Sequence, residues 1–193
     1  MYKRQKMRRA GQLLINDRLL LIRGHFNAIS SGINGGWRDV EAIFNYTVDD
    51  DFEKYDPKEY LERVAGNLGL RRYFGLLTSV PMDKLAITEC DDVKAFVTAG
   101  VKNPNKFGTI NIILLIEASP SDGALVNAII TATEAKSQAL LEMGFDFTGT
   151  NTDAIVVART HGRYYEYGGP ASDLGKKIWV AVKKGVKESL SKW

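Results

Sequence analysis

Residues 133–158, TEAKSQALLEMGFDFTGTNTDAIVVA, run without a break from a helical pattern through a turn of small polar residues around Gly149 into an apolar strand. At about 100° per residue, Leu125, Ile129, Ala132, Leu140 and Met143 share one face of a helix predicted over residues 121–143. Lys136 points along that same face. Val126, Ile130 and Leu141 widen the apolar surface, leaving Asn127, Thr131, Glu134, Gln138 and Glu142 for the remainder. A helix this apolar packs on a sheet. Ser121 or Asp122 caps its start after Pro120, and Gly144 ends it. Lys136 has two readings: its stem packs while its ammonium reaches the edge, or it reaches a carboxylate or ligand at the sheet's rim. Thr148, Thr150, Asn151, Thr152 and Asp153 exceed what one Asx-turn requires, so a polar pocket is expected where this helix meets the following strand.

Working outward, GQLLINDRLLLIRG reads as a hairpin around Asn16-Asp17-Arg18, and AIFNYTV as a strand ending in the acidic turn at residues 49–51. AISSGINGGW between them is glycine-rich and reads as irregular. DPKEYLERVAGNLG is a helix with Pro57 near its start, Tyr60, Leu61, Val64 and Leu68 on one face, and Gly69 past its end. FGLLTSV, LAITEC, VKAFVTAG and TINIILLIEA are extended segments, AIVVA is a further strand, and a last helix covers about residues 172–191. Neighbouring strands in the first two thirds stand too close for helical crossovers. The expected class is therefore α+β: one domain over residues 1–193, with a mixed, largely antiparallel sheet covered by helices. AIFNYTV, VKAFVTAG, TINIILLIEA and AIVVA are expected in that one sheet.

The 193 residues carry a net charge of +3, with basic residues gathered at Lys3, Arg4, Lys6, Arg8 and Arg9. That leader reads as a solvated terminus. Residues 13–22 are apolar but broken by Asn16, Asp17 and Arg18, so neither a signal-peptide core nor a membrane span is expected. No sustained basic face points to nucleic acid. Cys90 is the single cysteine and His25 and His161 stand far apart in sequence, so no metal site is expected and a reducing, cytoplasmic setting is. A homo-oligomer is compatible with this composition.

Two more loops share the small polar character of the 148–153 turn. TAGVKNPNKFGTINI places Thr98, Asn103, Asn105, Thr109 and Asn111 around Gly100 and Gly108, and SSGINGGW contributes Asn34. GGPASDLGKK resembles a phosphate loop but has Pro170 at the leading glycine position and Lys177 where a hydroxyl is required. It reads as a helix start capped by Ser172 or Asp173.

VTAGVKNPNKFGTINI, then TEAKSQAL, then TGTNTDAIVVA, in this order, resembles the adenosylcobinamide amidohydrolase family; SSGINGG, IFNYTV, GLLTSV and YGGPASDLGKKI extend the likeness over roughly residues 30–182. The resemblance implies hydrolysis of the amide joining aminopropanol to the corrin ring of adenosylcobinamide, giving adenosylcobyric acid in corrinoid salvage. The corrinoid is then the substrate and no cofactor is expected. A corrin is an apolar ring fringed with amides, so contacts are expected from Asn34, Asn45, Asn103, Thr109, Asn111, Thr150 and Thr152, with Trp37, Phe96 or Phe107 near the ring. Lys102 and Lys106 add charge to one of these loops. Two mechanisms fit: Asp153 or Glu134 activates water with Lys136 stabilising the oxyanion or protonating the amine, or the hydroxyl of Thr150 or Thr152 attacks. The rival reading is a non-catalytic corrinoid carrier, and a nucleotide-binding module is a weaker third. The 103–111 and 148–153 loops are expected to face one cleft, joined by SSGINGG.

Overall fold

The computed structural model describes residues 3–6 as backbone, and residues 11–101 and 108–193 in full. Strands β1 (Lys3–Lys6), β2 (Gln12–Ile15), β3 (Leu19–Ser30) and β4 (Gly36–Thr47) lead into helix α1 (Pro57–Asn67). Strands β5 (Tyr73–Thr78), β6 (Ala86–Cys90), β7 (Val93–Gly100), β8 (Thr109–Ile116) and β9 (Ser119–Pro120) follow, then helix α2 (Asp122–Glu142). Strand β10 (Ala154–Arg159), strand β11 (Tyr164–Tyr165) and helix α3 (Asp173–Leu190) complete the chain. The expected hairpin forms because Asn16 Oδ1 accepts from the amides of Arg18 (2.9 Å) and Leu19 (2.8 Å), closing an Asx-turn. Asp56 caps α1 ahead of Pro57, and Gly69 lies past its end at φ +67°.

One mixed sheet runs β1-β2-β3-β10-β8-β7-β6, with β4 on β3 and β5 on β4. β10 lies parallel to β8 and antiparallel to β3, while β5 lies parallel to β4. The four strands expected together are all in it. AISSGINGGW is less irregular than its glycines suggest: Ala28–Ser30 pair with Gly36–Arg38, and the loop between is short. Lys3–Lys6 of the basic leader pair with β2 rather than forming a solvated terminus, because β2 offers an open edge; Arg8 and Arg9 lie outside the described residues.

The sheet curls, and a register shift between Arg23 and Phe26 marks a bend in β3. Alternate side chains therefore feed separate cores. Ile22, Phe26, Ile43, Phe74, Phe96, Ile113 and Val156 fill the concave side. Val97, Ile110, Ile112, Leu114 and Val157 face outward against α2 and α3, and Phe44, Leu19 and Leu21 face outward against α1. On α2 the buried stripe is mostly Ala124, Ala128, Ala132, Ala135 and Ala139, small side chains that let the helix lie close to the sheet. Val126, Ile130, Leu141 and Met143 are exposed instead, because the sheet covers a narrower arc than the apolar residues span. No helix among the described residues is long and apolar enough to cross a membrane.

Lys177 belongs to a polar clasp. Its ammonium donates to Asp92 Oδ1 (2.9 Å) and to the Tyr165 hydroxyl (2.7 Å), and that hydroxyl donates to Asp92 Oδ2 (2.6 Å). This joins α3, β11 and the β6–β7 turn. Burial raises the carboxyl pKa of Asp92, but the hydrogen bonds from Tyr165 and Lys177 and the lysine charge outweigh it, leaving the pKa below the usual carboxylate range. A depressed folded-state pKa contributes stability above the unfolded value near 3.9, and that contribution fades as the pH falls below about 4. Urea unfolding of Asp92→Asn should show a loss of about 2 kcal/mol at pH 7 and a shallower decline between pH 5 and pH 3 than the parent.

Candidate functional site

Asp153 anchors the polar turn through four donors. Its Oδ1 accepts from the Ile110 amide (2.9 Å) and the Thr150 hydroxyl (2.7 Å), and its Oδ2 accepts from the Thr150 amide (3.1 Å) and from Lys136. The question posed by a lysine on an apolar helix face is thus answered by an ion pair, with side chains only 8% and 12% exposed. Gly149 makes room for it: a Cβ there would collide with both Lys136 Nζ and Asp153 Oδ2. Ser137 on α2 holds the same turn by donating to Thr148 O (3.1 Å).

The neighbouring hydroxyls continue the β8–β10 ladder. Thr109 Oγ1 donates to Thr152 O (3.0 Å) and Thr152 Oγ1 to Gly108 O (3.2 Å). Ser31 does the same for β3 and β10, exchanging bonds with Ile155 through its amide and its Oγ, each at 3.0 Å. Much of the hydroxyl set expected to meet a ligand is therefore committed to the frame.

Asparagines cover the free edge of β5. A strand paired on one side only leaves alternate backbone groups open. Asn34 Nδ2 donates to Tyr73 O (3.2 Å) and its Oδ1 accepts from the Gly75 amide (3.3 Å). Two residues on, Asn111 Nδ2 donates to Leu77 O (2.8 Å) and also to Asn45 Oδ1 (2.9 Å). Asn45 Nδ2 in turn donates to Thr98 Oγ1 (2.8 Å). Asn45 and Asn111 are 2% and 1% exposed.

Between the β5 edge and the starts of β8 and β10 opens a cleft of about 820 Å³. Gly108, Thr109, Asn111, Asn151, Thr152 and Asp153 line it together with Ser31, Gly32 and Ile33, so the described ends of the two loops and the SSGINGG segment share one cleft. Asn45 stands directly behind Asn111, while Asn34, Lys136 and Thr150 belong to the frame and are not lining residues. Glu134 is corrected: two residues from Lys136 on the helix, it faces solvent on the opposite side and does not line the cleft. Asn103, Asn105, Lys102, Lys106 and Phe107 lie outside the described residues. Trp37 is also corrected, since its indole donates to Asn27 on the β3–β4 arm, as is Phe96, which is buried in the concave core. Among the described lining residues the aromatic is Phe52, and Ile33 and Pro57 line the cleft as well.

The acidic turn was read from sequence only as the end of a strand, yet it forms the cleft's rim. Asp49, Asp50 and Glu53 join Asp153 as lining carboxylates, with no lysine, arginine or histidine among the described lining residues. The Tyr60 hydroxyl (2.7 Å) and Arg18 (2.5 Å) bind Asp49 and hold its pKa below the usual carboxylate range. Arg18 compensates Asp49 and Lys136 compensates Asp153, whereas Asp50 and Glu53 form no ion pair among the described residues. The signal for the rim was Asp49-Asp50-Asp51 itself, but nothing local says which surface it faces. The histidines are brought together in a different place: His25 and His161 line a second cleft near the ends of β8 and β10, where Arg159 is held by Pro120 O (2.7 Å) and Asp122 (2.8 Å).

Removing the ammonium leaves Asp153 buried without its counter-charge. Lys136→Met should lower unfolding free energy by about 3 kcal/mol, read by urea denaturation. A change under about 1 kcal/mol would show that the pair is solvated and that the turn holds itself.

The family described as adenosylcobinamide amidohydrolase matches residues 10–193. An adenosylcobinamide amidohydrolase of Methanosarcina mazei is 45% identical over 195 residues, covering 93% of this chain and 97% of that protein. An uncharacterized protein of Methanocaldococcus jannaschii is 32% identical over 202 residues, 81% of this chain and 79% of the other. An adenosylcobinamide amidohydrolase of Halobacterium salinarum is 31% identical over 183 residues, 84% and 79% respectively. A family match that runs through every wall of the cleft, with relatives aligned over most of their own length, means that this chain belongs to the adenosylcobinamide amidohydrolase family.

Proposed function

We propose that this protein hydrolyses the amide between aminopropanol and the corrin of adenosylcobinamide, releasing adenosylcobyric acid for corrinoid salvage. The observation that carries the reading is the cleft: acidic, amide-bearing and without a basic residue among its described lining. Co(III) bound to one anionic corrin and one carbanionic adenosyl ligand leaves a net positive charge, which suits that rim. Ile33, Phe52 and Pro57 offer an apolar lip for the ring, while the amide arm reaches inward past Thr109 toward Asn111. A cytoplasmic setting, expected from the lone Cys90, belongs to the same proposal.

In the reaction, water oxygen bonds to the amide carbon, the C–N bond breaks and the departing amine takes a proton. Asp153 is the proposed base. Three of its four donors are backbone amides or the paired lysine; the fourth is the Thr150 hydroxyl, which can rotate away and free a lone pair for water. Lys136 beside it supplies positive charge for the tetrahedral oxyanion. Direct attack by Thr152 is the less supported route, because its hydroxyl is donated to Gly108 O rather than to a base.

Purified protein incubated with adenosylcobinamide should release aminopropanol; binding without release would identify a carrier. Asp153→Asn should slow release by about 10²–10⁴-fold. That variant also disturbs a buried ion pair, so turnover must be compared with the folded fraction from a thermal melt. Near-normal turnover by folded Asp153→Asn protein would remove Asp153 from the chemistry.

A further inference from the structure

Among the described residues, one buried side-chain polar atom has no hydrogen-bond partner: Oδ1 of Asn111. Buried acceptors are normally satisfied, and an unsatisfied one in a cleft wall asks for an occupant. The orientation of this carboxamide is not free. Both of its N–H groups are committed, to Leu77 O at the β5 edge and to Asn45 Oδ1, and Asn45 is held in turn by Thr98. Turning Asn111 over would set its oxygen against Leu77 O, a carbonyl that can only accept. Asn111 also lines the cleft, and the group of its carboxamide left without a partner is therefore an acceptor only.

We infer that Asn111 Oδ1 accepts the N–H of a carboxamide ligand and makes the cleft select the amide over the corresponding acid. This rests on the hydrolase reading and adds to it a means of product release. Before cleavage, the scissile amide has one N–H to donate. After cleavage that hydrogen leaves with the amine, and the new carboxylate faces a fixed carbonyl oxygen across a cleft that already holds Asp50 and Glu53 without counter-ions among the described residues. A site built around a hydrogen-bond partner discriminates strongly against a ligand that cannot supply it, because its own polar group is then left unpaired. The same hydrogen bond thus favours substrate entry and disfavours retention of product.

The test compares two probes, adenosylcobinamide and adenosylcobyric acid. Wild-type protein should bind the amide at least about tenfold more tightly than the acid. Equal affinities would overturn the inference even if aminopropanol is released. If no aminopropanol is released, the hydrolase reading fails by itself; adenosylcobinamide is then a stable ligand, and its affinity relative to the acid still decides the selection. Asn111→Leu keeps the volume and removes the acceptor, so amide affinity should fall about tenfold while acid affinity holds or improves. A parallel loss for both probes would assign Asn111 to the frame alone. Where leucine at this position prevents a cooperative thermal melt, Asn45→Leu serves: it removes the acceptor that orients Asn111, so discrimination should shrink although Asn111 is intact. Undiminished discrimination in folded Asn45→Leu protein would count against the mechanism, and if neither variant folds the wild-type comparison stands as the decision.

Discussion

An unpaired strand edge organises this protein. β5 joins the sheet through β4 alone, and curling of the sheet carries its other edge back toward β8 without closing the ladder. Open backbone groups at such an edge need partners, and Asn34 and Asn111 supply them at Tyr73, Gly75 and Leu77. A side chain that reaches across a gap keeps the gap open. The cleft is the space that remains, and the residue that bridges it also contributes its most exacting polar atom.

The opposite wall depends on a charge pair rather than on amides. Lys136 leaves the helix–sheet interface to meet Asp153, and Gly149 gives way so that they can meet. Asp153 then substitutes for a strand partner at Ile110, and Thr109 and Thr152 extend the β8–β10 pairing beyond its backbone. Groups with the chemistry for catalysis are thereby the same groups that hold the turn. A buried charge pair broken on one side is costly, so function and folding are coupled here more closely than at an exposed site.

Net charge describes the chain but not the cleft. An excess of +3 coexists with a lining of carboxylates, because Arg18 and Lys136 approach from behind the wall. Ligand selection follows the local surface, where Asp50 and Glu53 face the opening uncompensated among the described residues. This arrangement suits a cationic amide and opposes the carboxylate that its cleavage creates.

Local pattern determined a good deal by itself. Alternation and capping marked the strands and the three helices, Asp56-Pro57 and Ser121 started helices as their side chains require, and clustered small polar residues marked both walls of the cleft. Those features depend on neighbours within a few residues. Tertiary structure alone decided the rest. Glu134 and Lys136 are two positions apart, yet the helix turns one to solvent and the other to Asp153. Phe96 and Asn111 lie on the same face of paired strands, but position along the ladder puts one in the concave core and leaves the other bridging to β5. The acidic turn faces the cleft because β5 runs parallel to β4, bringing Thr78 beside Thr47 across some thirty residues. Which atoms remain unpaired is a property of the whole packing, since it depends on every partner that has already been taken.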